Sequence, residues 1–298
     1  MGTYLFSEIA SMLNVVPKQQ HSDVRVDSLL TDSRKLLFPE STLFFAISSP
    51  RKDANLFVSE LYARGVRCFA VDKKFSLRSG EMPEANILVC ENVLSALQQL
   101  ASLHRHHFSI PVIGITGSNG KTIVKEWLHQ LLGETHKPFQ SPKSYNSQVG
   151  VPLSVWQLHE GNDISIFEAG ISRPGEMQRL RYIIDPSVGI VTCIGEAHAN
   201  GFISKAQKTE EKLSLFINSK VLIYGVDDKE LAASVNAFVA KQNTALELFS
   251  WGHSANARLR ILHVERADRQ SRIDLTCSGQ EFSVQIDRKS TRLNSSHS

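Results

Sequence analysis

Nine consecutive residues, Gly114-Ile115-Thr116-Gly117-Ser118-Asn119-Gly120-Lys121-Thr122, combine the types that can hold a polyphosphate. An apolar run, Pro111-Val112-Ile113-Gly114-Ile115, leads into glycines and then into a helical pattern over 122–132. In such a strand–loop–helix, successive backbone N–H groups turn inward and the helix N-terminus adds partial positive charge. Gly117 and Gly120 let the backbone come close and take positive φ, Lys121 can reach the outer phosphates, and the Thr122 hydroxyl can bind Mg²⁺. The segment is shorter than GxxxxGK[ST], because residue 115 is isoleucine where the first glycine would stand. Taken alone, it could be a turn before an ordinary helix. Other single residues are equally ambiguous in isolation. Glu168 ends a strand pattern and could be a solvated carboxylate; His198 could be a satisfied loop histidine. Lys212 closes the charged run Lys208-Thr209-Glu210-Glu211-Lys212, which usually marks a solvated helix face. His104, His106 and His107 follow an amphipathic helix with no partner cluster and are expected at the surface.

The elements that must position these residues alternate along the chain. Before the glycine loop, apolar spacing predicts helices over 6–13, 56–64 and 91–107. Strands are expected over 24–29, 43–47, 68–71 and 87–89. Beyond the loop come strands at 164–169, 188–194 and 221–224, interleaved with helices at 175–182, 205–217 and 228–241. This order implies an α/β fold: a small α/β unit over 1–108, then a mostly parallel sheet with helices over 109–287. Four successive strand patterns after residue 246 suggest an antiparallel appendage. The last eleven residues, 288–298, have almost no apolar content and are expected to be a non-native or disordered tail.

The 298 residues suggest about two domains. With 42% hydrophobic and 21% charged residues the chain can bury real cores. Its surplus of +3 is matched by three bases in the tail, Arg288, Lys289 and Arg292, so there is no basic footprint for nucleic acid. No run of about 18 apolar residues would span a membrane, and the start lacks the pattern of a signal peptide. Cys68, Cys90, Cys193 and Cys277 sit among apolar residues and are expected to be buried free thiols of a cytoplasmic protein.

Four segments stand in order on the second unit. Thr116 to Thr122 resembles the shortened ATP loop of the Mur ligase family. Tyr145-Asn146-Ser147-Gln148-Val149-Gly150-Val151-Pro152 looks like that family's Asn-containing segment, and Glu168-Ala169-Gly170 like its acidic one. Ala197-His198-Ala199-Asn200-Gly201-Phe202 resembles its His-containing loop. Lys212 lies fourteen residues past His198, where these ligases place a carbamylated lysine. In the first unit, Thr31-Asp32-Ser33-Arg34 and Leu43-Phe44-Phe45-Ala46-Ile47 resemble the UDP-sugar-peptide region of one branch. That branch joins D-alanyl-D-alanine to UDP-N-acetylmuramoyl-tripeptide. Asp53-Ala54-Asn55 stands where relatives often have Asp-Gly-His, and Ser214 where they often have an acid.

The resemblance implies an N-terminal substrate domain and a P-loop ATPase domain. It implies ATP-driven amide ligation in peptidoglycan precursor synthesis, with ATP and Mg²⁺ as cofactors. In that reaction the peptide carboxylate takes the γ-phosphoryl group to become an acyl phosphate, and the incoming amine displaces phosphate. By the same resemblance Lys121, His198 and Lys212 are catalytic. Gly117, Ser118, Asn119, Gly120, Lys121, Thr122 and Asn146 hold the nucleotide. Thr122, Glu168, His198 and carbamylated Lys212 serve the metal, and Ser33 and Arg34 touch substrate. The family's third, closing domain does not fit within 298 residues, so the chain is expected to be incomplete and nearly inactive alone. Some relatives carry a downstream alanine racemase. Two other functions stay open: a folylpolyglutamate synthase-like ligase of the same fold, and a non-ligase P-loop kinase or switch.

Overall fold

A computed structural model of the chain describes residues 2–50, 53–78, 80–195, 201–242, 246–267 and 270–287. The chain folds as two units, Met1–Ser109 with Ser147–Asn162, and Ile110–Asn146 with Asp163–Ser298.

The first unit runs β1 (Tyr4–Leu5), α1 (Phe6–Met12), β2 (Arg25–Val26), β3 (Ser28–Leu30), β4 (Thr42–Phe45), α2 (Val58–Ala63), β5 (Cys68–Asp72), β6 (Asn86–Cys90) and α3 (Val93–His106). Strands β3-β4-β5-β6 form one parallel sheet in that order. Its strands alternate between two cores, as a sheet covered on both faces requires. Leu43, Phe45, Cys68, Ala70 and Leu88 face one core; Phe44, Phe69, Val71 and Ile87 face the other. The single strand expected over 24–29 is in fact two. Asp27 donates its N–H to the Ser41 carbonyl and accepts the Trp156 indole, so its backbone leaves both ladders. Residues 25–26 then pair antiparallel with β1, while 28–30 join the parallel sheet.

The expected boundary at 108/109 places 147–162 in the second unit; in the structure this segment packs on the first. Its helix α5 (Gly150–Val155) lies against α3. Trp156 is buried among Phe6, Phe45 and Leu97, and burying a side chain of this size contributes roughly 1.5–3 kcal/mol. The Gln98 amide ties α3 to the segment leading into α5 by donating to the Gln148 carbonyl and Oε1.

His104 is not at the surface as expected. It is 1% exposed beside Trp156, where Tyr4 Oη lies 2.8 Å from its Nδ1 and the Leu158 carbonyl 3.2 Å from Nε2. Burial pushes its pKa down to about 4, so the ring is neutral with Nε2 donating.

The second unit runs β7 (Val112–Thr116), α4 (Lys121–Leu132), β8 (Pro138–Gln140), β9 (Ile164–Glu168), α6 (Glu176–Ile184), β10 (Val188–Val191), α7 (Lys205–Leu213), β11 (Val221–Gly225), α8 (Lys229–Gln242), β12 (Glu247–Gly252), β13 (Leu259–Arg266), β14 (Gln270–Cys277) and β15 (Gln280–Asp287). Its sheet order is β15-β14-β13-β12-β11-β10-β7-β9-β8. The antiparallel part is smaller than expected. The crossover through α8 returns β12 parallel to β11, β13 pairs parallel to β12, and only β13-β14-β15 is antiparallel. Its last hairpin closes on Ser278-Gly279 with φ of 52° and 80°, the two-residue turn that suits strand twist.

Two of the four cysteines depart from expectation. Burial pushes the Cys68 and Cys90 thiols up to about 12 and 11. Cys193 is exposed and Cys277 partly so. Among the described residues, no helix is long and apolar enough to cross a membrane.

Candidate functional site

Strand β7 is central, flanked by β10 on one side and β9 on the other. The segments that follow these three parallel strands therefore meet at one sheet edge, where α/β folds place their ligands. Residues 117–120 follow β7, Ala169-Gly170 follow β9, and 192–195 follow β10.

The glycine loop is fastened to the segment after β10. Ser118 N–H donates to the Cys193 carbonyl at 2.6 Å, and Gly195 N–H donates to Ser118 Oγ at 3.0 Å. Thr192 Oγ1 donates to the Asn119 carbonyl at 2.6 Å. This closeness demands glycine at 117, where a Cβ would stand 1.9 Å from Thr192 Oγ1. Gly120, at φ 82°, is the residue from which α4 starts, so the first free N–H groups of α4 open beside the loop. The side chain of Ser118 and the carbonyl of Asn119 are thus spent on loop shape.

Two lysines converge on one oxygen. Lys121 Nζ donates to the Gly117 carbonyl at 2.8 Å, and Lys212 Nζ donates to the same carbonyl at 3.0 Å. Lys208 Nζ reaches the Gly195 carbonyl at 3.3 Å. Lys208 and Lys212 are 5% and 3% exposed, so these lysines do not lie on a solvated face, whereas Glu210 of the same run is exposed. Four-residue spacing puts both lysines on one side of the helix, toward the loop. Burial, then the Lys121 and Lys208 charges, lower the Lys212 pKa to about 7. Burial also lowers that of Lys121, against the opposing pull of Glu168. Desolvated cations crowded on a carbonyl are a ready receptor for an anion.

The acidic side of the site is built on β9. Glu168 is fully buried; its Oε2 accepts from Thr122 Oγ1 at 3.1 Å and Asn146 Nδ2 at 3.4 Å. Ser144 Oγ lies 3.3 Å from Thr122 Oγ1. Gly170 donates its N–H to the Asn146 carbonyl and leaves room for the Asn146 amide, which a Cβ would meet at 3.0 Å. Glu168 Oε1 accepts no directed hydrogen bond; it lies 3.1 Å from the Nζ of fully buried Lys125. Among the described residues no three His, Cys, Asp or Glu side chains cluster for a metal. A buried carboxylate with one oxygen free of directed hydrogen bonds and the other beside a hydroxyl fits a hard cation that takes most of its oxygens from phosphate.

Thus Gly117, Ser118, Asn119, Gly120, Lys121, Thr122, Asn146, Glu168 and Lys212 lie together. His198 lies outside the described residues. Ser33 and Arg34 sit in the first unit on a short 3₁₀ turn, Ser33–Lys35, capped by Asp32. Arg34 is exposed and forks onto the Asp32 carboxylate, holding it well below the usual carboxylate range. Ser33 is buried, and its carbonyl accepts from Arg64. Sequence reasoning missed Lys125 and Lys208; the available signal was their spacing of four from Lys121 and Lys212. A cavity of about 620 Å³ between α7 and α8, lined by Glu210, Leu213, Phe238 and Lys241 among others, contains none of the loop residues.

Residues 115–292 match the model of the Mur ligase middle domain. The chain belongs to the Mur ligase family. The matched part runs from inside β7 to past β15, more than half of the chain. The chain is 31% identical over 242 residues to the UDP-N-acetylmuramoyl-tripeptide--D-alanyl-D-alanine ligase of Bacillus subtilis, a match covering 79% of this chain and 51% of that protein. It thus spans about half the length of the curated relatives it matches. Among solved structures, MurF from Acinetobacter baumannii shares the fold with a TM-score of 0.84, at 22% identity, over 96% of this chain and 61% of that one. MurF ligase from Thermotoga maritima in complex with ADP shares it with a TM-score of 0.74, at 23% identity, over 87% and 58%.

Proposed function

We propose that this Mur ligase serves the ATP-dependent joining of D-alanyl-D-alanine to UDP-N-acetylmuramoyl-tripeptide in the cytoplasm. The observation that carries the reading is the convergence of Lys121 and Lys212 on the Gly117 carbonyl, with Thr122 and Glu168 alongside. An ATP triphosphate entering the loop takes over the Lys121 donor, and the loop N–H groups cradle it. The family reaction brings a carboxylate against the γ-phosphate, so two anions must be held together. Lys121 and Lys208 supply the positive charge, and the fixed loop supplies the positioning. Mg²⁺ held by Thr122 and Glu168, with His198 and carbamylated Lys212 serving a second ion, would neutralise phosphate charge. In the first unit, Ser33 and Arg34 contact the UDP-sugar-peptide. The relatives' names and the ADP complex of the Thermotoga protein support this reading.

The test is calorimetry on the 298-residue chain with ATP and Mg²⁺, and separately with UDP-N-acetylmuramoyl-tripeptide. We expect both to bind, and Lys121→Ala to weaken ATP about 10- to 100-fold, the worth of a charged hydrogen bond. Equal ATP binding by both proteins, or none by a folded chain, would remove the nucleotide reading. ATP binding without tripeptide binding would redirect the substrate to that of another Mur-fold ligase.

A further inference from the structure

Lys125 is among the largest fully buried side chains, and nothing in the phosphate-loop pattern requires it. It lies one helical turn after Lys121, on the same side of α4. Its ammonium has three protons and three close neighbours. It donates to the Ser141 carbonyl at 2.6 Å and to the Lys143 carbonyl, and lies 3.1 Å from Glu168 Oε1. Glu126 Oε1 is farther, at 3.6 Å. The two carbonyls belong to the segment after β8, which turns through Lys143 at φ 49° and then presents Ser144 and Asn146. Ser144 meets Thr122, and Asn146 donates to Glu168. One buried charge thus touches the carboxylate directly and anchors the segment that carries Asn146, a donor to that carboxylate, and Ser144, a neighbour of Thr122.

We infer that Lys125 is a positioning residue for the cation-binding half of the site: it fixes the Glu168 carboxylate and the 141–146 segment in the arrangement that receives Mg²⁺ with ATP. This rests on the nucleotide reading above. An ammonium suits the role because it offers three donors from one compact point, whereas a guanidinium is a flat fork. Burial keeps its charge unscreened, so it holds Glu168 at the edge facing Thr122. The structural alternative is that Lys125 only supports the core under α4. The two differ in what they do to Mg²⁺. Core support affects ATP binding with or without the metal; positioning affects only the increment that Mg²⁺ adds.

The experiment measures ATP affinity of the full chain by calorimetry, with Mg²⁺ and with EDTA, for the unmutated protein, Lys125→Met, Glu168→Gln and the double variant, each checked for folding by circular dichroism. We expect Lys125→Met to lose about tenfold or more of the affinity measured with Mg²⁺, as for outer partners of metal ligands. Affinity in EDTA should stay within about twofold, and the double variant should be no worse than Glu168→Gln. A full Mg²⁺ increment in folded Lys125→Met overturns the inference, as does an equal loss with and without the metal. If Lys125→Met does not fold, Lys125→Arg decides. It keeps the charge but cannot reproduce the three-point contact, so the increment should still fall; an unchanged increment overturns the inference. Absence of ATP binding by the unmutated chain would remove the nucleotide reading itself and this inference with it. Normal binding there isolates the Lys125 result.

Discussion

Lys212 faces a problem at the scale of a single side chain. It is buried beside Lys121 and Lys208, donates to a carbonyl that Lys121 already uses, and has its pKa lowered to about 7. Near neutrality a large fraction of such an amine is unprotonated, and only the unprotonated form adds CO₂. The reaction gives a carbamate and releases one proton. The new anion would then lie between two cations in place of a third. We expect the protein equilibrated with ¹³C-bicarbonate to show a carbamate carbon resonance that disappears in Lys212→Met. A resonance unchanged in that variant, or none in the unmutated chain, would return Lys212 to a simple phosphate-binding cation.

At the scale of elements, α7 carries more than its lysines. Glu211 Oε1 accepts the N–H groups of Gly175 at 2.8 Å and Met177 at 3.1 Å, capping α6 from another helix. Helix α6 has no side-chain cap of its own. Removing this acceptor in Glu211→Ala should cost about 1–2 kcal/mol, read by urea denaturation; a change under about 0.3 kcal/mol would show that water replaces the cap. The same helix shows where sequence legibility ends. The strands around the glycine loop were readable because buried parallel strands are continuous apolar runs. Thr122, Glu168 and Asn146 were readable because they stand in segments that resemble the family's motifs in order. Lys125 and Lys208 were not, because a charged residue on a helix ordinarily marks the wet side, and only tertiary packing reverses that. Helix α5 was hidden by Gly150 and Pro152, which read as a loop although proline is tolerated in a first helical turn. Strand β8 is three residues long, too short for its alternation to show.

Over the whole molecule, the buried neutral His104 gives the first unit a sensitivity to mild acid. His104 has a folded pKa of about 4 against 6.5 for a free ring. Between these values the unfolded chain binds the extra proton, so the stability due to a neutral His104 is complete above pH 6.5 and is lost as pH falls toward 4. The contribution lost by pH 5 is roughly 2 kcal/mol. We expect urea denaturation followed by Trp156 emission, with Trp127 and Trp251 replaced by Phe, to show this loss. His104→Gln should have a flatter profile over the same window; identical profiles would place the acid sensitivity elsewhere. The three neighbouring histidines could not be sorted by sequence, because the partners that bury His104, namely Tyr4, Trp156 and Leu158, come from distant parts of the chain.

The excursion of residues 147–162 into the first unit also sets an order of assembly during synthesis. The first unit's main stretch ends at Ser109, but Trp156, which completes its core, emerges only after the glycine loop, α4 and β8 have been made. At roughly 5–20 residues per second, the ribosome leaves that core open for some seconds while the first strands of the second unit are made. A nascent chain halted where residue 109 but not residue 147 has cleared the exit tunnel should therefore be sensitive to protease in its first unit, and one halted far enough beyond 162 to clear the exit tunnel should not.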